Sequence, residues 1–287
     1  MTMWRHRNQN IQPDQPWTRQ RLLLSLATAG LLAIAALLGV TLALAQTLWA
    51  GSWPAASTSS TGGHPGSTDP IPVSAEVPGS SAVRDRIAAA PMMSLPSEAA
   101  NRPDPALTPA PPLRVPAAVN GRGPAGIPTF PHTYPGAVAQ LAAIDVAVLE
   151  AMSIPHTREV HDAWVLPGGP AMDSWDLAAN VAAFLRSSRQ GAAKDAATLV
   201  RVRPVGAMVK GTDGPDWLVA CVLLDVSATI RAEARMGWGH CARMQWMDGR
   251  WQIAPGEPPV LAPSAWPGSK AAVAAGWLSW VGPEGES

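Results

Sequence analysis

An uncharged apolar run near the amino terminus constrains this chain more than any other feature. The sequence LLLSLATAGLLAIAALLGVTLALA lies between Arg21 and Gln46 and contains no charged residue. A helix of this length spans the hydrocarbon core of a bilayer, which requires about 20 residues. We therefore predict a transmembrane helix over residues 22–45, and hence a protein that is anchored in a membrane.

The residues on either side of the run indicate its orientation. Arginines cluster before it in residues 1–21, whereas no charge of either sign follows it until Asp69. By the positive-inside rule, residues 1–21 are a cytoplasmic tail and the chain beyond the helix lies outside the cytoplasm. Trp17 on one side and Trp49 and Trp53 on the other stand where an interfacial aromatic belt is expected. The prediction is a single-pass protein of the cell membrane with an extracytoplasmic carboxyl-terminal domain.

A cleaved secretory signal is the alternative interpretation of the same run. Leu42-Ala43-Leu44-Ala45 places small residues at both positions that determine cleavage, and Gln46 would become the new amino terminus. Signal h-regions are usually about 7 to 15 residues long, and this run is longer, which favours the uncleaved anchor. Both interpretations place the bulk of the chain outside the cytoplasm.

Composition divides the exported part into a linker and a folded domain. The chain contains 30 Pro and 25 Gly, too many for one compact domain, and most of the excess falls in one Ser-, Thr- and Ala-rich stretch. Such a stretch buries too little apolar surface to offset its ordering entropy, so we predict a disordered Pro/Ala/Ser-rich linker over residues 46–127. Within it, AVRDRIAAAPMM (82–93) is a possible turn of helix or docking peptide, but its composition favours plain linker.

Residues 128–287 predict an extracytoplasmic α+β domain in which helices precede an antiparallel sheet. Thr133 is a suitable N-cap for a helix over about 136–152, and Asp173 for a second helix that ends near Arg189. Beyond these helices the apolar period changes to two, with turn signals at Asp213-Gly214 and Asp248-Gly249. One face of the sheet is expected to pack on the helices. The predicted strands are Leu199–Val209, Trp217–Ile230, Arg235–Met247 and Arg250–Ile253. A final short helix is predicted over Lys270–Ala275.

The two cysteines fall on neighbouring predicted strands. A hairpin that turns near Arg231 would place Cys221 directly opposite Cys241, where a disulfide is geometrically possible. A shift of one or two residues in the turn would leave them unlinked, and sequence spacing does not decide between these alternatives. A zinc site formed with His240 is disfavoured because adjacent residues on a strand point to opposite faces, so we predict no metal site.

Asp145 is the candidate pocket residue, because it falls inside the apolar stripe of the first helix. A desolvated carboxylate there could act as a base, but it could equally be paired with an arginine, bonded to backbone N–H groups or placed at a subunit contact. His156 and His161-Asp162 match no metalloprotease spacing and are expected in a solvated loop. With no nucleophile elbow and no phosphate-binding glycine loop, the sequence predicts no catalytic residues, no cofactor and no enzyme.

Charge and tryptophan content point to protein contacts. The chain has equal numbers of basic and acidic residues and no basic stripe, so direct nucleic-acid binding is not expected. Core packing accounts for most tryptophans, but four lie in or after the final hairpin, where they could form an exposed interaction patch. These interaction candidates are Trp251, Trp266, Trp277 and Trp280.

Three short motifs carry a resemblance to a known group. PHTYPGAVAQLAA (131–143), MQWMDGRWQI (244–253) and APSAWPGSKAAVAAGW (262–277), together with the anchor and spacer, resemble actinobacterial single-pass membrane proteins of mobile and conjugative elements. The resemblance covers roughly residues 131–280. It implies a nuclear-transport-factor-2-like domain, as in the inner-membrane assembly subunits of type IV secretion systems, with helices packed on a curved antiparallel sheet. It carries over no catalytic residues.

These features together predict a bitopic scaffold whose outer domain assembles with itself or with other cell-envelope proteins. The linker would set how far that domain reaches from the membrane. A small-ligand binder or enzyme that uses a cone-shaped pocket around Asp145 is the second hypothesis. An envelope accessory protein tied to lipid transport is the third, because some single-pass proteins of that kind share the layout.

Overall fold

A computed structural model describes residues 79–283 of the chain. The predicted cytoplasmic tail, the transmembrane helix with Trp17, Trp49 and Trp53, and the first part of the linker lie outside the described residues. The described residues comprise the carboxyl-terminal part of the predicted linker and the domain that follows it.

The described residues form an α+β domain around one six-stranded mixed sheet. Its strands, in the spatial order β1-β6-β2-β3-β4-β5, form an antiparallel meander from β2 to β5, with β6 antiparallel to β2 and β1 parallel to β6. The predicted meander is confirmed. Strands β1 and β6 were not predicted, because strands of three and four residues are too short to show the two-residue apolar period. The strands are β1 Pro112–Arg114, β2 Leu199–Thr212, β3 Trp217–Thr229, β4 Glu233–Met247, β5 Arg250–Ile253 and β6 Leu278–Val281.

Five α-helices accompany the sheet in the described part of the chain. The Thr133 hydroxyl accepts a hydrogen bond from the Gly136 amide and caps the long helix α2, as predicted. The connection that carries His156 and His161, predicted as a loop, is helical because Ser153 caps it and Pro155 fits its first turn. The helices are α1 Ser81–Ala89, α2 Tyr134–Ala151, α3 Ile154–Trp164, α4 Asp176–Ser187 and α5 Lys270–Ala274, with 3-10 turns at Ser97–Ala100 and Pro124–Gly126.

Helices α2 and α4 cover one face of the sheet, which we call the inner face. Alternate residues of β3, Leu218, Ala220, Val222 and Leu224, are buried against α2 in the main core. By length and composition alone, helix α2 could cross a membrane. However, 61% of the helix is buried inside the domain. Its apolar character is therefore explained by its central place in the core.

Residues 81–95, which we call the strap, lie against the opposite, outer face of the sheet. The other alternate residues of β3, among them Trp217 and Cys221, are buried there with Ala88, and Ile87, Met92 and Leu95 pack on the same cluster. The side chains of Arg84 and Asp213 form an ion pair at 2.7 Å, as do those of Asp85 and Arg243. Strand β3 is consequently buried on both faces.

The prediction that the linker is disordered as far as residue 127 is therefore wrong for residues 79–127. That stretch contains α1 and the edge strand β1, which pairs with Ser279–Val281 of β6. The composition of this stretch does not reveal its packing, because the residues that it contacts are distant in sequence. Ion pairs to Asp213 and Arg243, backbone pairing and the apolar outer face supply contacts that offset its ordering entropy.

The disulfide left open by the sequence is present. Cys221 and Cys241 are directly opposite partners of β3 and β4, with Cα atoms 4.0 Å apart, and are bonded to each other. Met92 of the strap covers the bond, since its Sδ lies 3.8 Å from Cys241 Sγ. The register follows from the tight turn between the two strands.

We predict that loosening the strap exposes the disulfide to reductant. In Ile87→Asp a charge replaces an apolar side chain that packs on the outer face, so the strap should detach more often. The rate of disulfide reduction by a water-soluble phosphine should rise by about tenfold or more. Ile230→Asp, at a residue that is 48% exposed, is the matched control. Equal reduction rates in the wild type and Ile87→Asp would show that the strap gives no protection.

Candidate functional site

The sharpest polar feature of the core is a hydrogen-bonded pair between α2 and β4. His240 Nδ1 lies 3.0 Å and 2.9 Å from the two carboxylate oxygens of Asp145, and because a carboxylate only accepts, the ring nitrogen is the donor. Asp145 is 0% exposed and His240 is 5% exposed. Of the alternatives left open by the sequence, the structure selects an ion pair, with histidine in place of arginine.

The pair holds its shared proton firmly. Burial raises the pKa of Asp145 above its ordinary value, and the facing His240 offsets this only in part. For His240, burial alone would lower the pKa, but the charge and hydrogen bond of Asp145, together with the charge of Asp176, hold it above its ordinary value. Both shifts favour one proton on the pair, which leaves it with no net charge in the core.

The structure places His240, and not Asp145, beside open space. The Asp145 side chain has no solvent exposure, whereas His240 lines two neighbouring cavities next to α4. The larger has a volume of about 160 Å³ and is bordered by Asp176, Asn180 and residues 259–262. Within residues 79–283, His240 Nε2 has no hydrogen-bond partner. The sequence suggested His240 only as a zinc ligand, and its pairing with Asp145 was not predicted.

Trp238 connects the buried pair to a third cavity, which we call the inner cleft. Its indole ring stacks on the His240 imidazole with centroids 5.0 Å apart and planes inclined by 11°. The inner cleft has a volume of about 270 Å³ and lies between the carboxyl-terminal half of α2, helix α4 and the inner face of the sheet. Its apolar walls include Leu149, Met152, Phe184, Val226, Met236 and Trp238.

The predicted tryptophan patch is wrong for two of its four members. Trp251 is 0% exposed and Trp277 is 2% exposed, and their indole N–H groups donate to the backbone oxygens of Pro131 and Pro263, both at 3.0 Å. Trp266 and Trp280 are partly buried, Trp266 beneath the Arg235 guanidinium and Trp280 against the main core. The carboxyl-terminal segment folds back onto the domain, so most of this aromatic surface is used internally.

The remaining sequence candidates have local structural partners. His161 Nε2 lies 2.9 Å from the backbone oxygen of Pro170, and His156 Nδ1 lies 3.1 Å from Glu159. The cysteines that a zinc site would need are bonded to each other. Among residues 79–283, no group of three or more His, Cys, Asp or Glu side chains is arranged to hold a metal ion.

Comparison with known proteins adds no relative. No family model matches the chain, and no curated protein and no solved structure matches it significantly. We therefore infer function from the geometry of the domain itself.

We predict that Asp145→Asn changes how the stability of the domain depends on pH. In the wild type, the raised pKa of His240 contributes stability that is fully present below about pH 6.5 and is lost as pH rises through the folded-state value. The raised pKa of Asp145 acts in the same direction: its contribution is fully present below about pH 3.9 and is lost as pH rises through the folded-state value. Without the carboxylate, burial lowers the His240 pKa and reverses the slope.

Urea unfolding of both proteins between pH 5 and pH 9 measures this difference. The stability advantage of the wild type should be largest at acidic pH and shrink as pH rises, with a slope of at most about 1.4 kcal/mol per pH unit for each group. Asp248→Asn, which neutralises an exposed carboxylate in the turn between β4 and β5, is the control and should parallel the wild type. Parallel curves for Asp145→Asn would contradict the ion pair.

Proposed function

We propose that this chain is a single-pass envelope protein whose extracytoplasmic domain is a scaffold in a conjugative or type IV secretion-like apparatus. The observation that carries the exported location in this proposal is the Cys221–Cys241 disulfide in the centre of the sheet. Structural disulfides persist in oxidising compartments and are rare in the cytosol. The bond therefore supports the exported location that the apolar run and its arginine flank predict.

The architecture supports a role in protein contacts. Helices cover the inner face of an antiparallel meander, which is compatible with the nuclear-transport-factor-2-like domain that the sequence resemblance implies. With Trp251 and Trp277 buried, the contacts would come from other apolar residues. Val260 and Leu261 are 38% and 78% exposed on the segment that borders the larger His240 cavity, and Trp266 and Trp280 remain partly exposed.

Chemical cross-linking in intact cells, followed by membrane extraction and mass spectrometry of the purified full-length protein, tests the scaffold. We expect a defined oligomer or other envelope proteins of a secretion or conjugation apparatus. Leu261→Asp places a charge in the proposed contact and should reduce recovery by about tenfold or more, because charged residues are disfavoured in an interface core. Leu107→Asp, at a residue that is 95% exposed, is the matched control. A monomer without partners would overturn the proposal.

The Asp145–His240 pair favours one second candidate, an acid–base enzyme. A buried carboxylate that accepts from Nδ1 fixes the imidazole in one tautomer, and Nε2 could then exchange a proton with a molecule in the adjoining cavity. The cavity volume of about 160 Å³ would restrict that molecule to a small one. In this candidate Asp145 is a positioning residue, and Asp145→Asn would abolish turnover while the fold is retained.

Deuterium exchange at the C2 position of histidine, followed by mass spectrometry of the full-length chain, tests this candidate. A reactive His240 should exchange within about tenfold of His132, whose side chain is 38% exposed, after correction for the pKa of each ring. Much slower exchange would show that solvent does not reach His240 and that the pair is purely structural.

A further inference from the structure

We propose that the inner cleft is a binding site for an uncharged, largely apolar small molecule. The proposal goes beyond the scaffold role and does not depend on it, because the cleft lies on the inner face of the sheet, between α2 and α4. Three properties of the cleft, as formed by residues 79–283, carry the inference: its preformed apolar walls, the pairing of its one charged lining residue, and two carboxamides that make no hydrogen bond to those residues.

The walls of the cleft are apolar, and their side chains are held in place by packing in the main core and by a ring stack. Leu149 and Phe184 project from helices whose neighbouring residues are buried in the main core. Opposite them, Trp238 is fixed by its stack on His240, which is tied in turn to Asp145. The volume of about 270 Å³ is just below the usual range for small-molecule sites. A preformed cavity binds without the cost of ordering its walls.

The charges around the cleft favour a neutral ligand. Arg235 is the charged residue among those that line it, and its guanidinium is already engaged. Its Nε and Nη2 donate to the Asp225 carboxylate at 2.6 Å and 2.8 Å, and it lies over the Trp266 ring. A charged ligand would be desolvated here without an available counter-charge, which is unfavourable.

Two carboxamides provide hydrogen bonds for a neutral polar end. Asn180 of α4 and Asn101, which follows the 3-10 turn, both line the cleft and are both exposed to solvent. Within residues 79–283 neither side chain makes a hydrogen bond, and each offers both donors and an acceptor. The fitting ligand thus has an apolar body and a neutral end such as an amide or alcohol, whether it derives from a lipid or from a free metabolite.

Photoaffinity labelling of the full-length protein tests the site. The probe is a neutral aryl diazirine alcohol, and mass spectrometry maps the labelled residues. The map distinguishes probe bound in the cleft from probe dissolved in detergent or lipid. We expect saturable labelling at Met152, Phe184 or Trp238. Decanamide should displace it at a concentration about tenfold lower than decanoate, because among the described lining residues the one cation, Arg235, is already paired with Asp225.

Two variants show whether the labelled site is the cleft. Ala228→Phe fills it from the sheet and should abolish labelling, and Met236→Arg, at a partly exposed residue that can accept a charge without unfolding, should weaken it at least tenfold. Ala182→Phe, in a separate cavity between α3 and α4, is the matched control and should label normally. Labelling that survives Ala228→Phe, or equal competition by decanoate, would overturn the proposal.

Organic extraction of protein purified from cells then identifies the source of the ligand. A neutral molecule recovered from the wild type and absent from Ala228→Phe supports the site, and its structure distinguishes a lipid from a free metabolite. If Ala228→Phe instead abolishes recovery of protein partners and no small molecule is found, the cleft holds a partner side chain and the proposal fails. Failure of the scaffold is a separate result, since it is measured with Leu261→Asp.

Discussion

The hydrogen bond between Asp145 and His240 is the constraint on which the inner half of this domain depends. A carboxylate with no solvent exposure is strongly disfavoured unless a partner compensates it, so α2 can pack on the sheet only where His240 meets it. That requirement fixes the position of α2 against β4. It also fixes the plane of the imidazole, and through the stacked rings the plane of Trp238. A polar contact in the core thereby determines the shape of an apolar cleft.

The outer half is organised by β3, whose residues from Trp217 to Asp225 are all buried. An antiparallel strand with only one covered face would alternate apolar and polar residues, and β3 does not. The strap supplies the second cover, and the disulfide to β4 lies beneath it. Two ion pairs hold the strap, to Asp213 and to Arg243, so its position depends on charges that are far from it in sequence.

The sequence predicted the features that local patterns determine. Thr133 was correctly predicted to cap α2, whereas a turn near Arg231 offered Cys221 opposite Cys241 only as one of two open alternatives, which the register of β3 and β4 decides. The strap was missed because it has few apolar residues and the residues that it contacts are distant in sequence. The burial of Trp251 and Trp277 was missed because it depends on how the carboxyl-terminal segment folds back onto the domain. Asp145 was identified as unusual, but its partner lies 95 residues away, and no local pattern connects them.

The two faces of the sheet therefore support different functions. The outer face is occupied by the chain's own strap, so a partner protein would have to displace it or bind elsewhere. The inner cleft is open, and its Trp238 wall is held by a ring stack on His240, which is hydrogen-bonded to Asp145. Because the pair acts on the cleft through Trp238, a change at Asp145 affects both the cleft and any chemistry at His240. Ala228 lines the cleft but neither of the cavities beside His240, so changes at cleft residues, and not at the ionisable pair, distinguish a binding domain from an enzyme.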